Sequence, residues 1–277
     1  MTQTRRYSEL DVFTATPLLG NPLAVVHDGR DLSEAQMAAF ARWTNLSETT
    51  FLLPPTSAEA DYKVRIFTPE RELPFAGHPT LGSCHAWLSA GGQPRNAGEV
   101  IQQCGVGLVR VRRDGARLAF AAPPLMRKGP LDAPLVERIE QALSLAAGEV
   151  LEHQWVDNGP GWCAVRLGSA ERVLQLAPDY SLMRGINLGV VAPHAAGHDA
   201  QFEVRALIGR GYEDPVTGSL NASLAQWLIG AGTAPERYVA TQGAALQRAG
   251  RVHVQRVGAD IWIGGDVCEV VAGTVVL

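Results

Sequence analysis

Four side chains able to hold or move a proton stand far apart in the chain: Glu48, His78, Asp214 and Ser219. Glu48 closes the stretch Trp43-Thr44-Asn45-Leu46-Ser47-Glu48 and leads into apolar, strand-like residues. A carboxylate there is either a solvated or capping loop group, or a general acid/base at the mouth of a cleft. His78 follows Gly77 at the start of a helical stretch. A neutral imidazole at the positive end of a helix can donate to a carbonyl or relay a proton, or simply hydrogen-bond the helix end. Asp214 precedes Pro215, a good helix-opening pair, and Ser219 shares that capping reading. A capping group that lines a cleft can also touch a ligand.

These residues sit in a repeat. Ala60-Asp61-Tyr62-Lys63-Val64-Arg65-Ile66-Phe67 matches Ala200-Gln201-Phe202-Glu203-Val204-Arg205-Ala206-Leu207 at an offset of 140 residues. The register continues through Ser83/Ser223, Trp87/Trp227, Leu88/Leu228 and Gly92/Gly232, and it also aligns Gln102 with Gln242. An offset near half the chain predicts two copies of one unit, with a shared site most naturally in the cleft between them. In each copy a strand leads through a glycine-bearing turn to an apolar helix. The first turn of a helix leaves N–H groups without intrahelical partners. Gly77, Pro79 and Thr80 in one copy, and Thr217, Gly218 and Leu220 in the other, are thus candidate carboxylate-binding positions.

Strands are predicted at Arg6–Phe13, Pro22–Val26, Thr49–Leu53, Lys63–Phe67, Gly107–Val111 and Arg117–Phe120. In the second half they are predicted at Val150–Gln154, Cys163–Leu167, Asn187–Ala192, Phe202–Leu207, Arg251–Gln255, Asp260–Ile263 and Val267–Val271. Helices are predicted at Ser33–Thr44, Thr80–Ala90, Ala133–Ala146 and Ser219–Ala231. The class is α+β: two pseudo-symmetric lobes, each a curled sheet around a central helix. The break at Ala121-Ala122-Pro123-Pro124-Leu125 divides an N-terminal lobe, 1–124, from a C-terminal lobe, 125–277, whose last strand is expected to cross back to the first.

Composition narrows the function. The 277 residues are 46% hydrophobic and 19% charged, with a formal net charge of −4, which gives no electrostatic reason to bind nucleic acid or a membrane surface. No apolar run reaches the roughly 18 residues of a membrane span, and the first residues carry no signal-peptide core. Four scattered cysteines without a Cys-x-x-Cys fit a reduced cytoplasm. His194 and His198 are four apart, but Pro193 and Gly197 argue for a loop there, and no metal site is expected. Gly105-Val106-Gly107 lacks the third glycine of a dinucleotide fingerprint, and neither a phosphate-binding loop nor a Gly-x-Ser-x-Gly elbow occurs. No cofactor is expected.

The chain resembles the phenazine-biosynthesis PhzF-like proteins, which share the diaminopimelate-epimerase fold. The resemblance rests on Asp11-Val12-Phe13-Thr14, Gly20-Asn21-Pro22-Leu23-Ala24-Val25-Val26, Asn45-Leu46-Ser47-Glu48-Thr49, Gly77-His78-Pro79-Thr80-Leu81-Gly82, Glu213-Asp214-Pro215-Val216-Thr217-Gly218-Ser219 and Gln242-Gly243, in that order. It implies a cofactor-independent isomerase acting on trans-2,3-dihydro-3-hydroxyanthranilate or a related small cyclic carboxylic acid. The family's catalytic glutamate falls on Glu48, its histidine on His78, and its aspartate and serine on Asp214 and Ser219. It also implies a homodimer. The epimerase and racemase relatives use a cysteine at each helix start, where this chain has Ala76-Gly77-His78 and Thr217-Gly218-Ser219. A different reading of the same residues is a non-catalytic binder of small carboxylates.

Overall fold

Burial alternates over the first residues of Thr4–Val12 and then covers both faces of this strand, β1, and the chain builds most of its structure from strands. The computed structural model describes residues 2–277. It is mixed α+β, strand-rich with few helices, and it divides into two compact units. One runs to Ala121 and takes in Gly264–Leu277; the other is Ala122–Ile263.

The first unit contains β1 (Thr4–Val12), β2 (Asn21–Val26), α1 (Glu34–Thr44), β3 (Glu48–Leu53), β4 (Tyr62–Phe67), β5 (Glu72–Leu73), α2 (Gly77–Ser89), β6 (Glu99–Cys104), β7 (Gly107–Asp114) and β8 (Arg117–Ala121). β1 runs antiparallel to β2, β2 parallel to β3, β3 antiparallel to β4, β4 parallel to β6, and β6 antiparallel to β7. The second unit contains β9 (Arg127–Gly129), α3 (Ala133–Ala142), β10 (Glu152–Asp157), β11 (Trp162–Arg166), α4 (Ala170–Leu174), β12 (Asn187–Pro193), β13 (Phe202–Ile208), β14 (Tyr212–Asp214), α5 (Gly218–Gly230), β15 (Arg237–Gln242), β16 (Gly250–Val257) and β17 (Asp260–Gly265). Its pairings from β10 through β11, β12, β13 and β15 to β16 follow the same succession of antiparallel and parallel contacts. The last strand, β18 (Val267–Val276), lies antiparallel to β1.

In both units the strands are covered on two faces. In the first unit Ala24 and Val26 of β2 pack with Met37, Phe40 and Ala41 of α1, together with Phe51 and Phe67. The alternate residue Leu23 faces α2, which also touches β1, β3, β4, β6, β7, β8 and β18. Gly82 permits this approach: a Cβ there would lie 2.5 Å from Leu23 Cδ2. In the second unit Leu188 and Val190 of β12 join Ile139, Leu143 and Val173 on one face. Gly189 between them backs onto Leu220 of α5. A helix that is apolar on most sides is a buried one, and α2 and α5 are buried almost throughout.

Several boundaries differ from the sequence reading. β6 and β15 form where no strand was expected. Their inward positions include Gln102 and Gln242, both fully buried, so the apolar alternation that announces a strand is interrupted. α3 ends at Ala142 rather than Ala146, with Ser144 turned to φ 51°. The strand expected at Val150–Gln154 begins at Glu152 and runs to Asp157. α4 was not anticipated because it is a single short turn.

Candidate active site

Glu48 is the first residue of β3, and its register explains its direction. It lies opposite Leu23 in the parallel β2–β3 pair and therefore shares Leu23's face, the one that α2 covers. Thr50, two residues on, faces the same way, and Ser83 of α2 donates to its hydroxyl at 2.9 Å. The strand is tied at its entrance by Thr44 and Thr49, whose hydroxyls are 2.8 Å apart across the turn that Asn45 opens in the left-handed conformation. Glu48 and His78, thirty positions apart in the sequence, are thereby brought together: Nε2 of His78 is 3.3 Å from Oε2 of Glu48.

His78 is buried, and burial pushes its pKa down to about 3 although a hydrogen bond to the Pro22 carbonyl opposes the shift. The ring is neutral at ordinary pH. Nε2 makes no hydrogen bond, so the bond to Pro22 is made by Nδ1, which carries the proton. Nε2 then presents a lone pair to Glu48.

Among the five α-helices of the described residues, α1, α3 and α4 carry side-chain N-caps from Ser33, Asp132 and Ser169. Ala76 before α2 and Thr217 before α5 make no such bond. In α2 the first intrahelical bond is from Thr80 N–H to the Ala76 carbonyl, which leaves the N–H groups of Gly77 and His78 ahead of it; Pro79 has none. In α5 the bond from Asn221 to Thr217 leaves those of Gly218, Ser219 and Leu220. Thr80 and Thr217 belong to the framework instead. The Thr80 hydroxyl donates to Ala76 and accepts from Gln102, while Thr217 N–H donates to Gln242.

Gln242 is the centre of the second turn. Its Oε1 accepts from Thr217 N–H at 3.0 Å and from Asn221 at 2.9 Å, and its Nε2 donates to the Asp214 carbonyl and the Thr217 hydroxyl, each at 3.0 Å. Thr217 in turn donates its hydroxyl to Asp214 Oδ2. Asp214 thus lies at the end of β14, braced by Thr217, rather than at the N-cap itself. Gly243 follows at φ 99°, where a Cβ would meet the Pro215 carbonyl at 2.7 Å. Ser219 is contacted by two residues that sequence reasoning missed: Trp162 Nε1 donates to its hydroxyl, and Asn158 Nδ2 to its carbonyl. No local pattern marks either of them.

The remaining candidates carry no such geometry. The rings of His194 and His198 stack at 3.8 Å instead of converging, and no three His, Cys, Asp or Glu residues are grouped to hold a metal ion among the described residues. Cys84 and Cys163 are buried, and burial raises both thiols to about 12, so neither supplies a thiolate at neutral pH. No helix among the described residues is long and apolar enough to cross a membrane.

The phenazine biosynthesis-like protein family, PhzC-PhzF, matches residues 10–266, and the chain belongs to that family. It is an isomerase, the activity for which several of its relatives are named. A trans-2,3-dihydro-3-hydroxyanthranilate isomerase of Pseudomonas aeruginosa is 32% identical over 92% of this chain and 91% of its own. Antisense-enhancing sequence 1 of Schizosaccharomyces pombe is 33% identical over 96% of this chain and 94% of its own. The crystal structure of a PhzF-family phenazine biosynthesis protein from Enterococcus faecalis has a TM-score of 0.82 at 25% identity, covering 99% of this chain and all of that one.

Proposed function

We propose that this isomerase moves a proton between two carbons of a small cyclic carboxylic acid, trans-2,3-dihydro-3-hydroxyanthranilate or a close relative, with Glu48 as the acid/base and no cofactor. The contact between Glu48 and His78 carries the reading. A neutral imidazole with its proton on Nδ1 sets a lone pair against the carboxyl, so the pair has room for one proton between two acceptors. A carboxyl so placed can take a proton from one carbon and return it to another, and a positioned acid/base contributes about 10²–10⁴-fold. For the named substrate, the proton leaves C3 as the ring electrons shift and rejoins at C1, so the atoms balance with no co-reactant.

Helix-opening N–H groups are assigned to the carboxylate and to the charge that develops during transfer, and Asp214 and Ser219 are read as side-chain contacts to ligand. The units are read as pseudo-symmetric copies of one fold, divided near Ala121–Leu125; the matching succession of strand pairings supports this. We further propose a homodimer in a reducing compartment such as the cytoplasm, the latter supported by four unpaired cysteines.

The test is turnover in deuterium oxide. Incubation with trans-2,3-dihydro-3-hydroxyanthranilate should place solvent deuterium on the ring, and Glu48→Gln should slow that uptake by about a hundredfold or more while still binding ligand. Wild-type rate in the Gln variant would remove the acid/base role, and binding without any exchange would favour a carboxylate-binding protein.

A further inference from the structure

The hydroxyl of Ser219 lies 3.1 Å from Nε1 of Trp162. An indole N–H donates and never accepts. The Ser219 oxygen must therefore accept this bond, and its own proton is directed elsewhere. A serine in the first turn of a helix ordinarily has a choice, because its hydroxyl can accept from a nearby N–H or donate to a carbonyl of the preceding turn. Here one of its two lone pairs already accepts from the indole, which biases the O–H to point away from the Trp162 ring.

Trp162 is well placed to impose that direction. It is 2% exposed and opens β11, where it pairs with Asn187 of β12. The segment before it is a tight turn: Asp157 Oδ1 accepts from the N–H groups of both Gly159 and Gly161, at 2.7 and 2.6 Å. From this turn Asn158 donates to the Ser219 carbonyl at 3.0 Å. One segment therefore holds Ser219 at two points, and both contacts are donations into it. Ser219 itself is only partly buried.

We propose that Trp162 is a positioning residue, which turns the Ser219 hydroxyl into a hydrogen-bond donor for a carboxylate or enolate oxygen of the ligand. This rests on the assignment of Ser219 to the isomerase site. Phenylalanine at 162 keeps an aromatic ring but loses the N–H together with part of the buried ring, so a double-mutant cycle with Ser219→Ala is needed to isolate the link.

Trp162→Phe, Ser219→Ala and the double variant are compared in kcat/KM for trans-2,3-dihydro-3-hydroxyanthranilate and in the Kd of benzoate, a plain aromatic carboxylate. Ser219→Ala should weaken both by about tenfold and Trp162→Phe by about threefold, with the double variant no worse than Ser219→Ala alone. Trp162→His, which retains a ring N–H, should recover part of the loss and covers the case in which the Phe variant fails to fold. Additive losses in the cycle, a Trp162→Phe variant indistinguishable from wild type, or no measurable benzoate binding would each overturn the proposal. The isomerase reading fails separately, on Glu48→Gln retaining full turnover while the Trp162–Ser219 coupling in benzoate binding persists.

Discussion

His78 and Glu48 face each other at 3.3 Å with the imidazole buried and neutral. Burial lowers the folded-state pKa of His78 to about 3, below its ordinary 6.5. A depressed histidine binds fewer protons in the folded state than in the unfolded one. Its contribution is complete above pH 6.5 and is lost as the pH falls towards 3. His27, held down to about 4 mainly by burial, with Arg6 adding to the effect, acts in the same direction. Proton–nitrogen correlation spectra should keep His78 in its neutral Nδ1–H tautomer throughout pH 5–8. An imidazolium signal at pH 6 would contradict the geometry.

Gln242 should be the most costly single polar residue of the second unit. Leucine in its place would strand Thr217 N–H, the Asn221 amide and the Asp214 carbonyl, each buried or partly buried and each worth about 1–3 kcal/mol when left without a partner. We expect Gln242→Leu to lose at least about 3 kcal/mol in urea denaturation. Gln242→Glu, which keeps the acceptor and changes the donor, should lose less. Equal stability of Gln242→Leu and wild type would show that the turn is held by other means.

Glu203 gives a pH dependence of opposite sign. It is buried, and desolvation raises its pKa to about 7, against the lowering effects of the Thr241 hydroxyl, Arg205 and His198; Glu213 adds to the rise, and His194 lies 3.6 Å away. A carboxyl with a raised folded-state pKa binds more protons when folded, so stability falls as the pH rises from about 4.5 to about 7. The full shift corresponds to roughly 3 kcal/mol. Glu203→Gln should therefore be more stable than wild type at pH 8 and should lose that advantage by pH 4. A constant difference across this range in paired denaturation curves would refute the assignment.

Thiol chemistry should be irrelevant to turnover. Cys84, Cys104 and Cys163 are buried with raised thiol pKa values, whereas Cys268 is partly exposed. Iodoacetamide on the native protein at pH 7.5 should label Cys268 first, and the labelled enzyme should keep its rate. Inactivation that tracks alkylation of Cys84 would instead point to a thiol-dependent mechanism.

The sequence by itself determined most of the strands and the two glycine-bearing helix starts. These are local properties: alternation of apolar residues, turn residues and helix-opening pairs act within a few positions of one another. It failed at β6 and β15 for one physical reason. Each places a glutamine where the pattern requires an apolar side chain, and that glutamine is buried because Thr80, or Asp214, Thr217 and Asn221, hydrogen-bond it from elsewhere in the fold. No neighbouring residue records such a partner.

Tertiary structure alone decided the chemistry of the individual groups. Glu48 reads equally well as a solvated loop carboxylate until the β2–β3 register turns it towards α2, and His78 becomes neutral only because the fold removes it from water. Trp162 and Asn158 are anonymous in the sequence, separated from Ser219 by 57 and 61 positions, yet together they set its hydrogen bonds. Periodicity is written along the chain, but desolvation and hydrogen-bond direction depend on which distant segments the sheet brings together.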